Sequence, residues 1–208
     1  MIGSKIEVII FDLGKVIFDY NLEILAKGFA DNSTNKENFC NINNFVHLND
    51  ELFFGYEKGE ISSEQLYEKV KKILYLNLDY SKFCEIWNNI FSPNKDVMAF
   101  ITELSKKYPV SLLSNTNDLH FNFIKQNNED FFKNFKALHI SHLMHCRKPE
   151  KEIYQKVINF YNVKPEKLFF TDDLDVNVKA ARQEGMTAFT FTGLKNLKEN
   201  LSSLGVCL

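Results

Sequence analysis

The residues of this sequence that could do chemistry together are Asp12, Ser114, Lys148, Asp172 and Asp173. The acids and the serine follow short apolar stretches, and the lysine lies in the loop after another such stretch. An aspartate can attack phosphorus or carbon, and a hydroxyl and an ammonium group can hold phosphate oxygens. Clustered carboxylates can also bind Mg²⁺. These residue types therefore fit a metal-assisted site for an anionic substrate, provided that the fold brings them together.

The apolar stretches predict buried parallel strands that would position these residues. Residues 6–11 are almost continuously β-branched or aromatic, which is the pattern of a strand covered on both faces. The carboxyl ends of parallel strands lie along one edge of a sheet, where ligands bind in open α/β folds. We therefore expect these residues to meet in one crevice at that edge. Each residue also has a purely structural interpretation, since Asp12 can open a turn, Ser114 can cap a helix and Lys148 can be solvated. The five residues together nevertheless favour a functional site.

From residue 93 onward, the sequence alternates between helix and strand patterns. Such alternation is typical of a parallel sheet wound by right-handed crossovers. The predicted strands span residues 110–113, 137–140, 168–171 and 187–190, and the predicted helices span residues 95–107, 150–160 and 176–184.

The residues after Val16 and through about Phe91, in contrast, show no clear strand pattern and are rich in helix-forming residues. Ser62 and Gln65 have the spacing of a capping box. We predict an α/β fold with a Rossmann-like parallel-sheet core, residues 1–18 and 93–208, and an inserted all-helical domain, with hinges at its two crossings. The predicted helices of the insertion span residues 21–30, 36–48, 62–74 and 80–90.

Composition excludes several classes of protein. The chain has 208 residues, 45% of them hydrophobic, and a formal net charge of −2, so it has no basic field for nucleic acid. No apolar run approaches the roughly 20 residues of a membrane-spanning helix, and no signal-peptide pattern is present. We therefore expect a cytoplasmic protein with no membrane or nucleic-acid partner. The sequence shows no strong oligomerisation pattern, which favours a monomer or a weak homodimer.

The cysteines and histidines predict no further site. The four cysteines are widely scattered without a CxxC spacing, which favours reduced thiols. His139, His142, His145 and Cys146 have a threefold spacing, but it crosses a predicted change from strand to loop. We therefore interpret these histidines as surface residues and not as zinc ligands.

Four short motifs follow one another along the chain: Asp12-Leu13-Gly14-Lys15-Val16, Ser114-Asn115, Lys148-Pro149 and Asp172-Asp173-Leu174-Asp175-Val176-Asn177. With these motifs in this order, the sequence resembles the haloacid dehalogenase-like hydrolases over about residues 6–190. The block of residues 19–92 resembles the C1-type helical cap of this family, and residues 56–62 resemble a cap segment of the branch with bacterial sugar-1-phosphate phosphatases.

The resemblance implies a Mg²⁺-dependent phosphatase that acts on a small-molecule phosphate ester through an aspartyl-phosphate intermediate. A sugar phosphate such as glucose 1-phosphate is one candidate substrate. In this family, Asp12 would be the nucleophile. The Asp12 carboxylate, the Gly14 carbonyl and Asp173 would hold Mg²⁺, with Asp172 acting directly or through water.

The same resemblance implies that Ser114, Asn115 and Lys148 bind the phosphate group. Lys148 would also keep Asp12 ionised, and Asn177 would orient the acids.

One departure from the family pattern concerns Gly14, which stands where phosphatases of this family usually carry a second aspartate as general acid. General acid catalysis is worth about 10²–10⁴-fold, so we expect a substitute donor or a leaving group that needs little protonation. Anomeric, acyl and aryl phosphates meet that demand. Asp19, near the predicted hinge, is one candidate donor, and Phe53, Phe54 and Tyr56 are candidates for the substrate pocket.

Two alternatives remain open at the level of sequence. A metal-independent 2-haloacid dehalogenase also lacks the second aspartate, but the pair Asp172 and Asp173 would then face an anionic substrate. A catalytically weak phosphometabolite-binding protein is the other alternative, because loss of the general acid can accompany loss of turnover.

Overall fold

A parallel β-sheet forms the centre of the chain in a computed structural model that describes residues 6–35 and 49–208. Five strands form this sheet in the order β5-β4-β1-β6-β7, and β2 and β3 form a separate pair. The strands are β1 (Val8–Phe11), β2 (Phe18–Tyr20), β3 (Phe91–Pro93), β4 (Val110–Ser114), β5 (Phe135–Ile140), β6 (Leu168–Asp172) and β7 (Thr187–Thr190).

The central strand β1 is buried along its whole length, as its apolar sequence predicts. It pairs in parallel with β4 on one side and with β6 on the other, and Phe11 lies opposite both Leu112 and Thr171. The backbone N–H of Asp12 then donates to the carbonyl of Thr171 at 3.0 Å. The three strands therefore end at the same edge, and the predicted parallel sheet is confirmed.

Helices cover both faces of the sheet and fill the insertion between β2 and β3. Alternate residues of β1 enter two different apolar clusters, with Ile9 and Phe11 in one and Val8 and Ile10 in the other, so β1 is covered on both sides. The helices are α1 (Leu22–Asp31), α2 (Asp50–Glu57), α3 (Ser63–Ile73), α4 (Tyr80–Asn88), α5 (Lys95–Ser105), α6 (Asp118–Asn127), α7 (Glu129–Phe132), α8 (Ser141–Met144), α9 (Lys151–Tyr161), α10 (Asp175–Gln183) and α11 (Leu194–Ser203), with a 3₁₀ turn at Pro165–Lys167.

The helical insertion, meaning α1 to α4, has its own apolar core. The ring of Phe83 stacks on Phe29 and on Trp87, with centroids 5.5 Å apart in each pair. The predicted capping box of Ser62 and Gln65 is confirmed at the start of α3. Helix α2 was not among the predicted helices, and the predicted helix 36–48 lies outside the described residues.

The two crossings between sheet and insertion lie side by side. Strands β2 and β3 pair antiparallel, with Asp19 opposite Ser92 and Tyr20 opposite Phe91. The prediction that no strand follows β1 before residue 91 is therefore wrong. A three-residue strand has too few positions for a period-2 pattern, and its partner lies far away in the sequence. None of the described helices is long and apolar enough to cross a membrane.

Candidate active site

The predicted site residues meet at the carboxyl edge of the sheet. Asp12 follows β1, while Ser114 and Asp172 are the last residues of β4 and β6. Lys148 reaches the same place from the loop between α8 and α9. All four are buried, and Asp173 is partly exposed. The edge thus carries two neighbouring buried acids, a third acid at its rim and a buried lysine.

Lys148 links the two buried acids. Its Nζ lies 2.7 Å from Oδ1 of Asp12 and 2.5 Å from Oδ2 of Asp172, and it donates to the carbonyl of Leu113 at 3.0 Å. These three acceptors match the three hydrogens of an ammonium group. Because Lys148 contacts Asp12 at Oδ1, Oδ2 is the oxygen that this carboxylate would offer to a substrate or a metal ion.

Asn115 holds the Lys148 segment through its side chain. Its Nδ2 donates to the Lys148 carbonyl, and its Oδ1 accepts from the Lys148 backbone N–H, each at 2.8 Å. Both ends of the amide are therefore used on the protein backbone. A phosphate contact by Asn115 could come from its backbone N–H or from the second hydrogen of Nδ2.

Asn177 fixes the carboxylate of Asp172 from helix α10. Its Nδ2 lies 3.0 Å from Oδ1 and 3.1 Å from Oδ2 of Asp172, and the Leu174 backbone N–H donates to Oδ1 at 2.9 Å. The hydroxyl of Tyr154 donates to the Asn177 carbonyl at 2.9 Å. With Lys148 as well, both oxygens of Asp172 are engaged by protein donors.

Among the described residues, Lys148 is the one lysine in salt-bridge contact with the three acids, and Lys15 adds an electrostatic interaction with Asp173. Oxygens of Asp12, Asp172 and Asp173 lie within 4.8 Å of one another. Asp173 forms no salt bridge with any residue that the structure describes. Burial raises the pKa of Asp12, Lys148 opposes this shift and Asp172 adds to it. Burial and Asp172 likewise raise the pKa of Asp173.

This arrangement fits a divalent cation, because clustered carboxylate oxygens are the ligands that Mg²⁺ prefers. A cation would also supply the positive charge that one lysine cannot. Since the oxygens of Asp172 already accept several hydrogen bonds, Asp12 and Asp173 are the acids best placed to bind a metal directly.

A cavity of about 260 Å³ opens beside the acids, between the sheet edge and the helical insertion. Gly14 and Ser114 line it from the sheet side, and Phe53 and Tyr56 line it from α2. Phe54, the third predicted pocket residue, does not line it. Instead, the Phe54 ring packs on the guanidinium of Arg147, whose Cζ lies 3.9 Å from the ring centroid.

Tyr20 fills the space beside Gly14. A Cβ atom at residue 14 would lie 3.3 Å from Cε1 of Tyr20, which also lines the cavity. Asp19, the candidate proton donor, points away: its side chain is 59% exposed, lies 3.6 Å from Lys15 and does not line the cavity. The structure thus gives Asp19 no place next to the leaving group.

The histidine cluster forms no metal site in the described part of the chain, where the three aspartates are the one group of ligands found. The prediction of surface histidines is correct for His145 but wrong for His139, which is buried against Phe160 and Tyr161. His139 lies within the predicted strand, and its ring packs on Phe160 and Tyr161 at the end of α9, which covers this face of β5.

Several cavity-lining residues were not singled out from the sequence, among them Glu57, Trp87 and His120. His120 belongs to α6, which the sequence analysis did not predict. The resemblance of residues 56–62 to a cap segment was the one signal that included Glu57.

Comparison with known proteins extends these observations. The family model for haloacid dehalogenase-like hydrolases matches residues 6–185. A D-ribitol-5-phosphate phosphatase of Bacteroides thetaiotaomicron is 24% identical over 192 residues, which are 87% of this chain and 89% of that protein. Flavin mononucleotide hydrolase 1 of Arabidopsis thaliana is 38% identical over only 60 residues, 29% of this chain and 24% of that protein.

Solved structures of haloacid dehalogenase-like proteins have the same fold as this chain. A haloacid dehalogenase family enzyme from Bacteroides thetaiotaomicron, in complex with magnesium and inorganic phosphate, matches with a TM-score of 0.76 and 26% identity, covering 89% of this chain and 93% of that chain. L-2-haloacid dehalogenase from Xanthobacter autotrophicus shares the fold, with a TM-score of 0.62 and 16% identity over 95% of this chain and 83% of that chain. Because the family model spans most of the sequence, the chain belongs to the haloacid dehalogenase-like hydrolases.

Proposed function

We propose that this enzyme is a Mg²⁺-dependent phosphatase that removes the phosphate group from a small sugar or polyol phosphate. The observation that carries the proposal is the contact of Lys148 with Asp12 and Asp172, beside a third acid without a salt bridge to the described residues. The phosphatase from Bacteroides thetaiotaomicron and the magnesium and phosphate complex support it.

In the proposed reaction, Oδ2 of Asp12 attacks phosphorus while the bond to the leaving-group oxygen breaks. That oxygen takes its proton from solvent as the leaving group departs, because residue 14 is a glycine and supplies no acid. The resulting aspartyl-phosphate is hydrolysed by water, which releases inorganic phosphate and restores the carboxylate. Lys148 holds Asp12 by its other oxygen and lowers the negative charge that the phosphate dianion meets. The Ser114 hydroxyl and the backbone N–H groups after it would bind phosphate oxygens.

Asp12, the Gly14 carbonyl and Asp173 are the residues proposed to hold Mg²⁺, with Asp172 as an indirect partner. The bound cation would offset the repulsion between the nucleophilic carboxylate and the phosphate group. Asp172 is already engaged by Lys148 and Asn177, so its main task is to position the lysine.

The helical insertion is proposed to be the cap that covers the leaving group, within the domain boundaries given by residues 19–92. Its residues Phe53, Tyr56 and Trp87 line the cavity opposite Ser114. Closure of such a cap would exclude water from the first step.

Dehalogenation is a weaker proposal for this site. The likeness to the L-2-haloacid dehalogenase concerns the fold alone. Without a metal ion, Asp172 and Asp173 would repel a haloacid carboxylate, and Lys148 would be the one described lysine in salt-bridge contact with the three acids.

Phosphate release from a panel of esters tests this proposal. The panel contains D-ribitol 5-phosphate, glucose 1-phosphate, glucose 6-phosphate and p-nitrophenyl phosphate, each with Mg²⁺ and with EDTA. We expect turnover that requires Mg²⁺ and is abolished in Asp12→Asn. Absence of turnover on every ester, or turnover that persists in EDTA, would contradict the proposal.

A further inference from the structure

Two adjacent residues connect the helical insertion to the acids at the sheet edge. Nε of Arg147 donates to Oε2 of Glu57 in α2 at 2.8 Å, while Nζ of Lys148 lies 2.7 Å from Oδ1 of Asp12. The carboxylate of Glu57 is therefore held in a fixed relation to the proposed nucleophile. Any role of this carboxylate in recognising a leaving group rests on the proposed phosphatase function.

Glu57 is held from one side only. The guanidinium of Arg147 packs on the ring of Phe54, which restricts it, and binds one oxygen of Glu57. The other oxygen, Oε1, accepts no hydrogen bond from the described residues. The Glu57 side chain is 26% exposed and lines the cavity. It therefore offers a charged acceptor to a molecule bound there.

The rest of the cavity wall, as far as the described residues form it, carries no formal charge. Among the described residues that line it, Glu57 is the only Asp, Glu, Lys or Arg, and the others are apolar, aromatic, hydroxyl, amide or imidazole groups. Burial lowers the pKa of His120 to about 4, so this side chain is neutral at physiological pH. A second anionic group on a substrate would thus meet Glu57 without a cation lining the cavity.

We propose that Glu57 determines substrate specificity by accepting a hydrogen bond from a hydroxyl of a neutral, polyhydroxylated leaving group, and by repelling leaving groups that carry a further negative charge. Arg147 is a positioning residue that orients this carboxylate. The substrate class is therefore monophosphates of polyols or sugars, and excludes bisphosphates and phosphorylated acids.

Ligand binding tests the inference separately from turnover. In the Asp12→Asn background with Mg²⁺, calorimetry would measure the affinity for D-ribitol 5-phosphate, n-pentyl phosphate and fructose 1,6-bisphosphate, with and without Glu57→Gln. The pentyl ester lacks the hydroxyls but keeps the phosphate group. Glu60→Gln, in an exposed side chain three residues away, is the matched control.

We expect Glu57→Gln to weaken D-ribitol 5-phosphate binding roughly tenfold, as for a lost charged hydrogen bond. Binding of n-pentyl phosphate should stay unchanged, fructose 1,6-bisphosphate should bind more tightly, and Glu60→Gln should change none of the three. Arg147→Lys should reproduce the selective loss in part. An equal loss for both monophosphates would mean a structural role and would overturn the inference, as would unchanged ribitol phosphate binding.

Turnover of the wild-type enzyme distinguishes the two proposals. If no ester is hydrolysed but the binding selectivity depends on Glu57, the phosphatase proposal fails and the specificity inference stands. If esters are hydrolysed but Glu57→Gln leaves the selectivity unchanged, the inference fails and the phosphatase proposal stands.

Discussion

The imidazole of His120 stacks on the indole of Trp87, with ring centroids 5.2 Å apart and planes 15° from parallel. The contact joins α6, beside the sheet, to α4 of the helical insertion. Nε2 of His120 lies 3.0 Å from the Trp87 carbonyl, which can only accept, so Nε2 must donate. Nδ1 faces Nδ2 of Asn117 at 3.1 Å and accepts from it, because Oδ1 of Asn117 already caps α6. The bond at Nδ1 requires the neutral ring, because a protonated Nδ1 cannot accept.

Protonation of His120 should therefore destabilise the folded state. Burial lowers the pKa of His120 from 6.5 to about 4. Between these two pH values, the unfolded chain binds more protons than the folded chain. The folded state therefore loses stability as the pH falls through this range. Going from near pH 7.5 to near pH 5, this residue should cost about 2 kcal/mol of unfolding free energy. Urea unfolding of wild type and His120→Phe at both pH values measures this change in unfolding free energy. An equally steep pH dependence in the variant would contradict the assignment.

Lys148 should be essential for stability as well as for activity. Lys148→Met leaves Asp12 and Asp172 buried without their cation, which should cost about 3–5 kcal/mol of unfolding free energy. Lys133→Met removes a lysine from an exposed ion pair with Asp130 and should leave stability unchanged within error. Urea denaturation compares the two. Equal, small effects would show that the buried contact is not a strong one.

Asp173 should govern metal affinity with little effect on the fold. If the acids hold Mg²⁺ as proposed, the ion should raise the melting temperature of the wild type, because it would bind the folded state and relieve the repulsion among the acids. Asp173→Asn should lose most of this increase, while the metal-free variant should be as stable as the wild type or more so. Thermal melts over a Mg²⁺ series measure both effects. A full Mg²⁺ response in Asp173→Asn would place the ion elsewhere.

Tyr20 should limit the gain in activity from a proton donor introduced at residue 14. Because a Cβ there would lie 3.3 Å from the tyrosine ring, Gly14→Asp alone should gain little. Gly14→Asp with Tyr20→Ala gives the carboxylate room, and should raise kcat/KM on D-ribitol 5-phosphate by up to about 10²-fold relative to p-nitrophenyl phosphate. Tyr20→Ala alone is the control. An equal change on both esters would argue against a role in leaving-group protonation.

The sheet edge could be predicted from local sequence because each acid follows its own buried strand. Asp12 and Asp172 end strands whose apolar residues are continuous, and parallel topology then brings the ends together. The capping box at Ser62 was likewise a local pattern. In these cases, the information lies within a few residues of the feature.

Contacts between distant segments could not be predicted in the same way. Glu57 and Arg147 are 90 residues apart, and their contact depends on how α2 packs near the Lys148 loop. His120 lies in a helix whose apolar pattern is weak, and its partner Trp87 belongs to the insertion. The short pairing of β2 with β3 also depends on the whole insertion folding back.

The most direct test of the account is to identify the covalent intermediate. Wild-type enzyme mixed with D-ribitol 5-phosphate or p-nitrophenyl phosphate and Mg²⁺, then quenched in acid within one turnover, should carry a phosphate group on the peptide that contains Asp12. Mass spectrometry of the digest would locate it, and borohydride reduction should convert Asp12 to homoserine. Asp12→Asn should show neither product. Phosphate release without any adduct on Asp12, or undiminished release by Asp12→Asn, would contradict the proposed role of this residue.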